Sequence, residues 1–184
     1  MQIAEYNKEV MMADGTFAVL MFLLGLTDMQ NNYCNTEAGC FDRTEVLPRL
    51  YVSGGDIIKR RAEAGSEGYI RYDLGHRNGP FGHAAGISMS SRDALWAGVG
   101  QTYIASIDKS PVMIELHAMT GLYSVGNGHD LGGLIAFRSG VDLIYETGGG
   151  VRYALSYDHR SHMGIYPDNP GVESVQLAVS WPLE

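Results

Sequence analysis

His159 and Ser161 stand two residues apart, and Glu173 follows Ser161 by twelve positions. A serine hydroxyl is a weak nucleophile until an adjacent base takes its proton. Histidine is that base near neutral pH, and a carboxylate can fix its tautomer and stabilise the imidazolium. On one strand face, residues two apart lie roughly 7 Å from each other by backbone rise, close enough for side chains to meet. The three residue types therefore suit acyl transfer if a single surface carries them.

Alternation with period two supplies that surface. In residues 151–161, Val151, Tyr153, Leu155, Tyr157, His159 and Ser161 share one face, while Arg152, Ser156, Asp158 and Arg160 share the other. In residues 172–181, Glu173, Val175, Leu177, Val179 and Trp181 share the apolar face. His159, Ser161 and Glu173 thus end apolar rows at one rim of adjacent strands. Polar groups there are costly on a surface that meets lipid, less so near the interface. Pattern alone leaves two readings open: a catalytic set, or a polar girdle where strands leave the membrane, with Glu173 as a loop-end residue.

The rest of the chain alternates in the same way. Ile70, Tyr72 and Leu74 oppose Tyr69, Arg71 and Asp73; Val112, Ile114, Leu116, Ala118 and Leu122 oppose Glu115, His117 and Tyr123. In residues 131–146, Ile135, Phe137, Val141, Leu143 and Tyr145 oppose Arg138, Asp142 and Glu146. Opposite charges and Tyr hydroxyls can satisfy one another inside a small barrel, leaving the apolar band outside. Turn chemistry at 76–80, 107–110 and 147–150 separates strands expected at about 47–56, 66–76, 81–90, 94–106, 111–124, 131–146, 150–161 and 172–182. The expected fold is all-β, an eight-stranded antiparallel up-and-down transmembrane β-barrel over residues 46–184, with both termini on the periplasmic side.

Composition agrees. Gly reaches 24 and Tyr 11 of 184 residues, and charged residues make up only 18%, against about a quarter in soluble domains. No stretch approaches the roughly 20 apolar residues of a transmembrane helix. A glycine-rich soluble sandwich or lipid-binding barrel is the competing class. The net charge of -8, with no basic stripe, argues against nucleic acid as a partner. Residues 1–45 read as a degenerate export signal or plug around the apolar run 17–26, with a first strand or a short membrane-lying helix as alternatives. Cys34 and Cys40 suit either a disulfide-closed loop or two free thiols. His76, His83, His117 and His129 show no metal-ligand spacing, so no metal is expected. The Gly148 run is a turn and not a phosphate loop, since no Lys-Ser or helix pattern follows.

The segment His159-Arg160-Ser161-His162-Met163-Gly164, followed by Asn169-Pro170-Gly171-Val172-Glu173, resembles the signature hairpin of the lipid A 3-O-deacylase family, outer-membrane barrels that cleave the ester-linked 3-hydroxyacyl chain of lipid A. The match is strong over residues 150–182, loose over 66–146, and fades before that. The resemblance implies Ser161 as nucleophile, His159 as general base and Glu173 as the residue orienting it. Asn169 lies at the family's loop asparagine, an oxyanion donor candidate. The sequence departs from the family at His162, where an Asn is usual; His162 and Gly164 join Asn169 as oxyanion candidates. Lys59, Arg60 and Arg61, in the first outward loop, are candidates for pairing lipid A phosphates, or else a solvated loop tip.

The expectation that follows is an esterase of the bacterial outer membrane, its site facing the outer leaflet. Lipid A or lipopolysaccharide would be the substrate, water the final acceptor, and no cofactor would be needed; a homodimer stays open. The alternative from another class is a non-catalytic small barrel serving as anchor or adhesin.

Overall fold

A computed structural model describes residues 15–59, 62–167 and 170–184. In chain order the elements are α1 (Thr16–Asn32), β1 (Arg43–Glu45), β2 (Arg49–Lys59), β3 (Ala62–Asn78), β4 (Phe81–Ser90), β5 (Leu95–Ser106), β6 (Val112–Ser124), β7 (Ile135–Glu146), β8 (Arg152–Ser161) and β9 (Val172–Pro182). Strands β2 to β9 pair antiparallel with their sequence neighbours, and β2 closes on β9 from Arg49↔Pro182 to Ile58↔Glu173. The result is a closed eight-stranded up-and-down barrel with no free edge. The short β1 pairs with the end of β3, from Arg43↔Asn78 to Glu45↔His76.

The eight strands fall where alternation puts them, with two corrections. β7 starts at Ile135 and not at 131. Gly132 takes a left-handed φ of 86° and donates its N–H to the Asp130 carboxylate at 2.7 Å, which ends alternation there. β3 is longer than expected at both ends, because β2 runs on to Lys59 and pairs with it as far as Ala62, and β1 continues its pairing past a bulge between Asp73 and Arg77.

The faces divide as polarity demands. Ile70, Ile87, Val99, Leu122, Leu143, Leu155 and Leu177 point outward and are exposed. Left in water, each would forgo about 1.5–3 kcal/mol of burial free energy, and a patch of this extent is foreign to soluble monomers. Tyr145 pairs across with Tyr153 near the end where β2 begins, the position of an interfacial aromatic girdle.

Inside, the charges pair. Arg71 bridges Glu115, Asp73 at 2.9 Å and Asp142 at 3.8 Å. Arg138 reaches Asp158 at 2.8 Å and Glu67 at 3.3 Å, and lies over the Tyr69 ring with its guanidinium carbon 3.8 Å from the centroid. Arg160 also pairs with Glu67, and Gln176 donates to Glu67 at 2.9 Å. An eight-stranded barrel is wide enough only for side chains, and here they tie β3, β6, β7, β8 and β9 together across the lumen.

α1 lies on the outside. Its neighbours Tyr103, Leu116, Ala118, Val141 and Tyr157 are all outward-facing strand residues, and Leu116 is only 2% exposed because the helix covers it. No helix among the described residues is long and apolar enough to cross a membrane. Cys34 and Cys40 form a disulfide just after the helix. That loop sits on the β3–β4 turn: Gly79, at φ 56°, donates its N–H to the Asp42 carbonyl at 2.9 Å, and a Cβ there would lie 2.5 Å from the Cys40 carbonyl oxygen. Only glycine meets both demands.

Candidate active site

Antiparallel register brings His159 of β8 directly opposite Glu173 of β9. Both belong to the outward face, since their neighbours Asp158, Arg160 and Ser174 are turned inward and buried. The His159 Nδ1 lies 3.4 Å from Glu173 Oε1. Its Cε1–Nε2 edge faces Gly171: a Cβ on that glycine would lie 2.5 Å from Cε1 and 3.0 Å from Nε2. The imidazole is therefore held with one nitrogen toward the carboxylate and the other toward the rim. Ser161 is the last residue of β8 on that rim, two positions on and on the same face. His159 and Ser161 are 3% and 2% exposed, so water reaches this outward-facing pair poorly. Poor access strengthens every charge interaction in the pair.

The turn after Ser161 is strained in a directed way. Met163 adopts φ 52° and Gly164 φ 77°, and the Ile165 N–H returns to the His162 carbonyl at 3.1 Å. A non-glycine residue in the left-handed region costs roughly 1–3 kcal/mol. Here that conformation aims the Met163 N–H at Ser161 Oγ, 3.5 Å away. In acyl transfer an N–H beside a serine nucleophile is where the oxyanion needs a donor. The sequence did not reveal this group, because backbone direction in a loop leaves no residue-type signal.

The other candidates distribute as follows. His162 is fully buried, accepts the Tyr166 N–H on Nδ1 at 3.3 Å and packs edge-on against the Tyr166 ring. Gly164 is exposed in the turn. Asn169 lies outside the described residues, as do Arg60 and Arg61. Lys59 is at the rim end of β2, with Nζ 3.4 Å from His129 Nδ1; its strand neighbour Ile58 pairs with Glu173. Ser139 of β7, cross-strand from His159 on the side away from Glu173 and 5% exposed, was missed. It interrupts an apolar row between Phe137 and Val141, a signal that alternation offers.

Glu115, His117 and Asp142 bring ligand atoms within 4.8 Å of one another inside the barrel. Arg71 already engages both carboxylates and Asp158 accepts from His117 at 2.6 Å, so this group works as part of the interior ion network.

The Gly171 contact carries a prediction. The backbone at 171 is outside the left-handed region, so alanine fits it without strain, and its methyl must displace the His159 ring. Misplacing a catalytic group by about 1 Å can cost on the order of a hundredfold. Gly171→Ala is expected to slow turnover by about tenfold to a hundredfold while heat-modifiable gel migration stays that of a folded barrel. An unchanged rate would show that the placement of the His159 ring does not govern turnover.

The sequence matches the lipid A 3-O-deacylase (PagL) family over residues 63–182. No curated protein matches the chain. Among solved structures, the outer membrane enzyme PagL superposes with a TM-score of 0.59 at 15% identity, covering 73% of this chain and 99% of that one. Neisserial surface protein A gives 0.52 at 16% identity, with 77% and 99% covered. A de novo designed transmembrane β-barrel gives 0.53 at 9% identity, with 76% and 98% covered. At such identities the likeness speaks for the fold alone. A fold shared with a designed barrel leaves function to the site.

Proposed function

The chain belongs to the lipid A 3-O-deacylase family, and from that premise we propose that it is an outer-membrane esterase that hydrolyses the 3-linked hydroxyacyl ester of lipid A. The observation that carries the reading is the His159–Glu173 pair, 3.4 Å apart, beside Ser161 on an outward apolar face. A lipid substrate would meet that face without leaving the bilayer.

In the proposed mechanism His159 Nε2 takes the Ser161 proton as Oγ attacks the ester carbonyl carbon, and Glu173 stabilises the imidazolium through Nδ1. The Met163 N–H, with Asn169 and His162 as further candidates, receives the negative charge of the tetrahedral oxygen. The sugar–oxygen bond to the acyl carbon then breaks, and His159 returns the proton to the leaving sugar hydroxyl. Water adds to the acyl-serine by the same base, releasing a hydroxy fatty acid and restoring Ser161. Lys59, at the rim end of β2, suits a lipid A phosphate, and Arg60 and Arg61, which follow it in sequence, are further candidates for the same role.

The test is to incubate the refolded protein in detergent with lipid A and follow products by mass spectrometry. The expected result is loss of one hydroxyacyl chain as the free acid, located at position three by fragmentation. Unchanged lipid A with wild type, under conditions where the barrel is folded, would favour a non-catalytic anchor. Loss of a chain from another position would reject the 3-O assignment.

A further inference from the structure

α1 lies outside the residues matched to the family, yet it forms part of the site. From Phe17 to Leu26 it is apolar all round, and Val19, Leu23 and Leu26 are 59%, 62% and 52% exposed on the side away from the barrel. A helix without a polar face needs apolar surroundings on every side. Apart from Thr16 at its first position, its polar residues, Thr27, Asp28 and Gln30 to Asn32, lie at the end beside the disulfide. At the other end Phe17 packs edge-on to Tyr157 with ring centroids 5.7 Å apart, and a Cβ on Gly15 would touch Met163 at 3.7 Å. The helix therefore runs along the outer wall from the far rim to the catalytic rim.

Between helix and wall is a cavity of about 250 Å³. Ala18 and Phe22 line it from the helix, Ala118 and Phe137 from the barrel, and His159 and Ser161 stand in its wall. A cavity with a nucleophile and a base in one wall and hydrocarbon or aromatic groups around them is complementary to one fatty acyl chain attached through a polar ester. An unroofed barrel face would accept any chain lying against it.

We propose that α1 roofs the catalytic face and makes it a single-chain acyl pocket, with Ala18 and Phe22 setting which chains are accepted. This rests on the reading of Ser161 and His159 given above. Ala18→Trp fills the pocket and favours short chains. Phe22→Ala deepens it and favours long ones. Differences of a few methylenes in an apolar pocket change discrimination by roughly tenfold to two-hundredfold.

Two measurements on the full chain in detergent separate this inference from its premise. The first is photolabelling with a diazirine-bearing palmitic acid, mapped by peptide mass spectrometry, which needs no turnover. Label is expected on α1 and on β6–β7 in both wild type and Ser161→Ala, and to fall by about tenfold in Ala18→Trp. The second is hydrolysis of p-nitrophenyl esters from butyrate to palmitate. Ala18→Trp is expected to shift the profile toward butyrate and Phe22→Ala toward palmitate, with heat-modifiable migration confirming the barrel in each. Label that bypasses α1, or profiles that stay unchanged or move in parallel, would overturn the roof. Label on α1 without Ser161-dependent hydrolysis would support the pocket and reject the esterase.

Discussion

Alanine at Ser161 is expected to lower kcat for lipid A deacylation by about three orders of magnitude or more, with KM nearly unchanged. The hydroxyl contributes little to binding a substrate held by its acyl chains and phosphates, whereas without it no acyl-serine forms. His159→Ala is expected to cost a similar amount, and the double variant no more than either single one, because nucleophile and base act as a unit. Glu173→Gln retains more activity, since His159 is also positioned by its strand; a loss of about tenfold to a thousandfold is expected. The assay is release of hydroxy fatty acid from lipid A in detergent, read by mass spectrometry. Ser161→Ala retaining a sizeable share of wild-type kcat would remove Ser161 as nucleophile, and additive losses in the double variant would separate it from His159.

Arg138→Leu is expected to be the most damaging change to the barrel. Its guanidinium is fully buried and divides itself between Asp158 at 2.8 Å and Glu67 at 3.3 Å, with the Tyr69 ring beneath. Leucine leaves Asp158 with His117 and the Ser156 hydroxyl, and Glu67 with Arg160 and Gln176, each carboxylate short of a guanidinium inside a lumen that admits little water. Breaking one side of a buried ion pair costs about 3–5 kcal/mol. Equilibrium unfolding in urea from detergent or lipid vesicles, read by gel migration, measures it. The stranded Asp158 lies behind the proposed catalytic row, because it alternates with His159 along β8. A folded fraction of the variant is therefore also expected to turn over more slowly. Adding Asp158→Asn should restore part of the stability, since it deletes a stranded charge. A change within about 1 kcal/mol for Arg138→Leu would show that water or the remaining cations satisfy both carboxylates.

The barrel was legible in the sequence because its rule is local. Period-two alternation assigns each residue to a face without reference to any partner strand, so outward Leu155 and Leu177 and inward Arg138, Asp142 and Asp158 could be read directly. The same parity put His159, Ser161 and Glu173 on one face near one rim, and the family-like spacing supplied their expected roles. Where a side chain overrode alternation, as Asp130 does by taking the Gly132 N–H, the strand boundary was misjudged.

What no local pattern carries is contact between distant segments. Which carboxylate takes which guanidinium depends on how eight strands close. The fit of the His159 ring against Gly171, and the aim of the Met163 N–H at Ser161, depend on a loop backbone whose residues advertise neither. Alternation marks Ser139 as a break in an apolar row, but only cross-strand register sets it beside His159. For the apolar run after residue 16, composition is compatible with an export signal, a strand, a plug or a surface helix. In the structure it is a helix docked on the outer wall against Tyr103, Leu116, Ala118 and Tyr157 from three different strands. His159, Ser161 and Glu173 were thus set on one surface by sequence, through a period that each strand carries alone. Their enclosure was decided by tertiary structure, because only the closed barrel offers α1 the wall on which it packs.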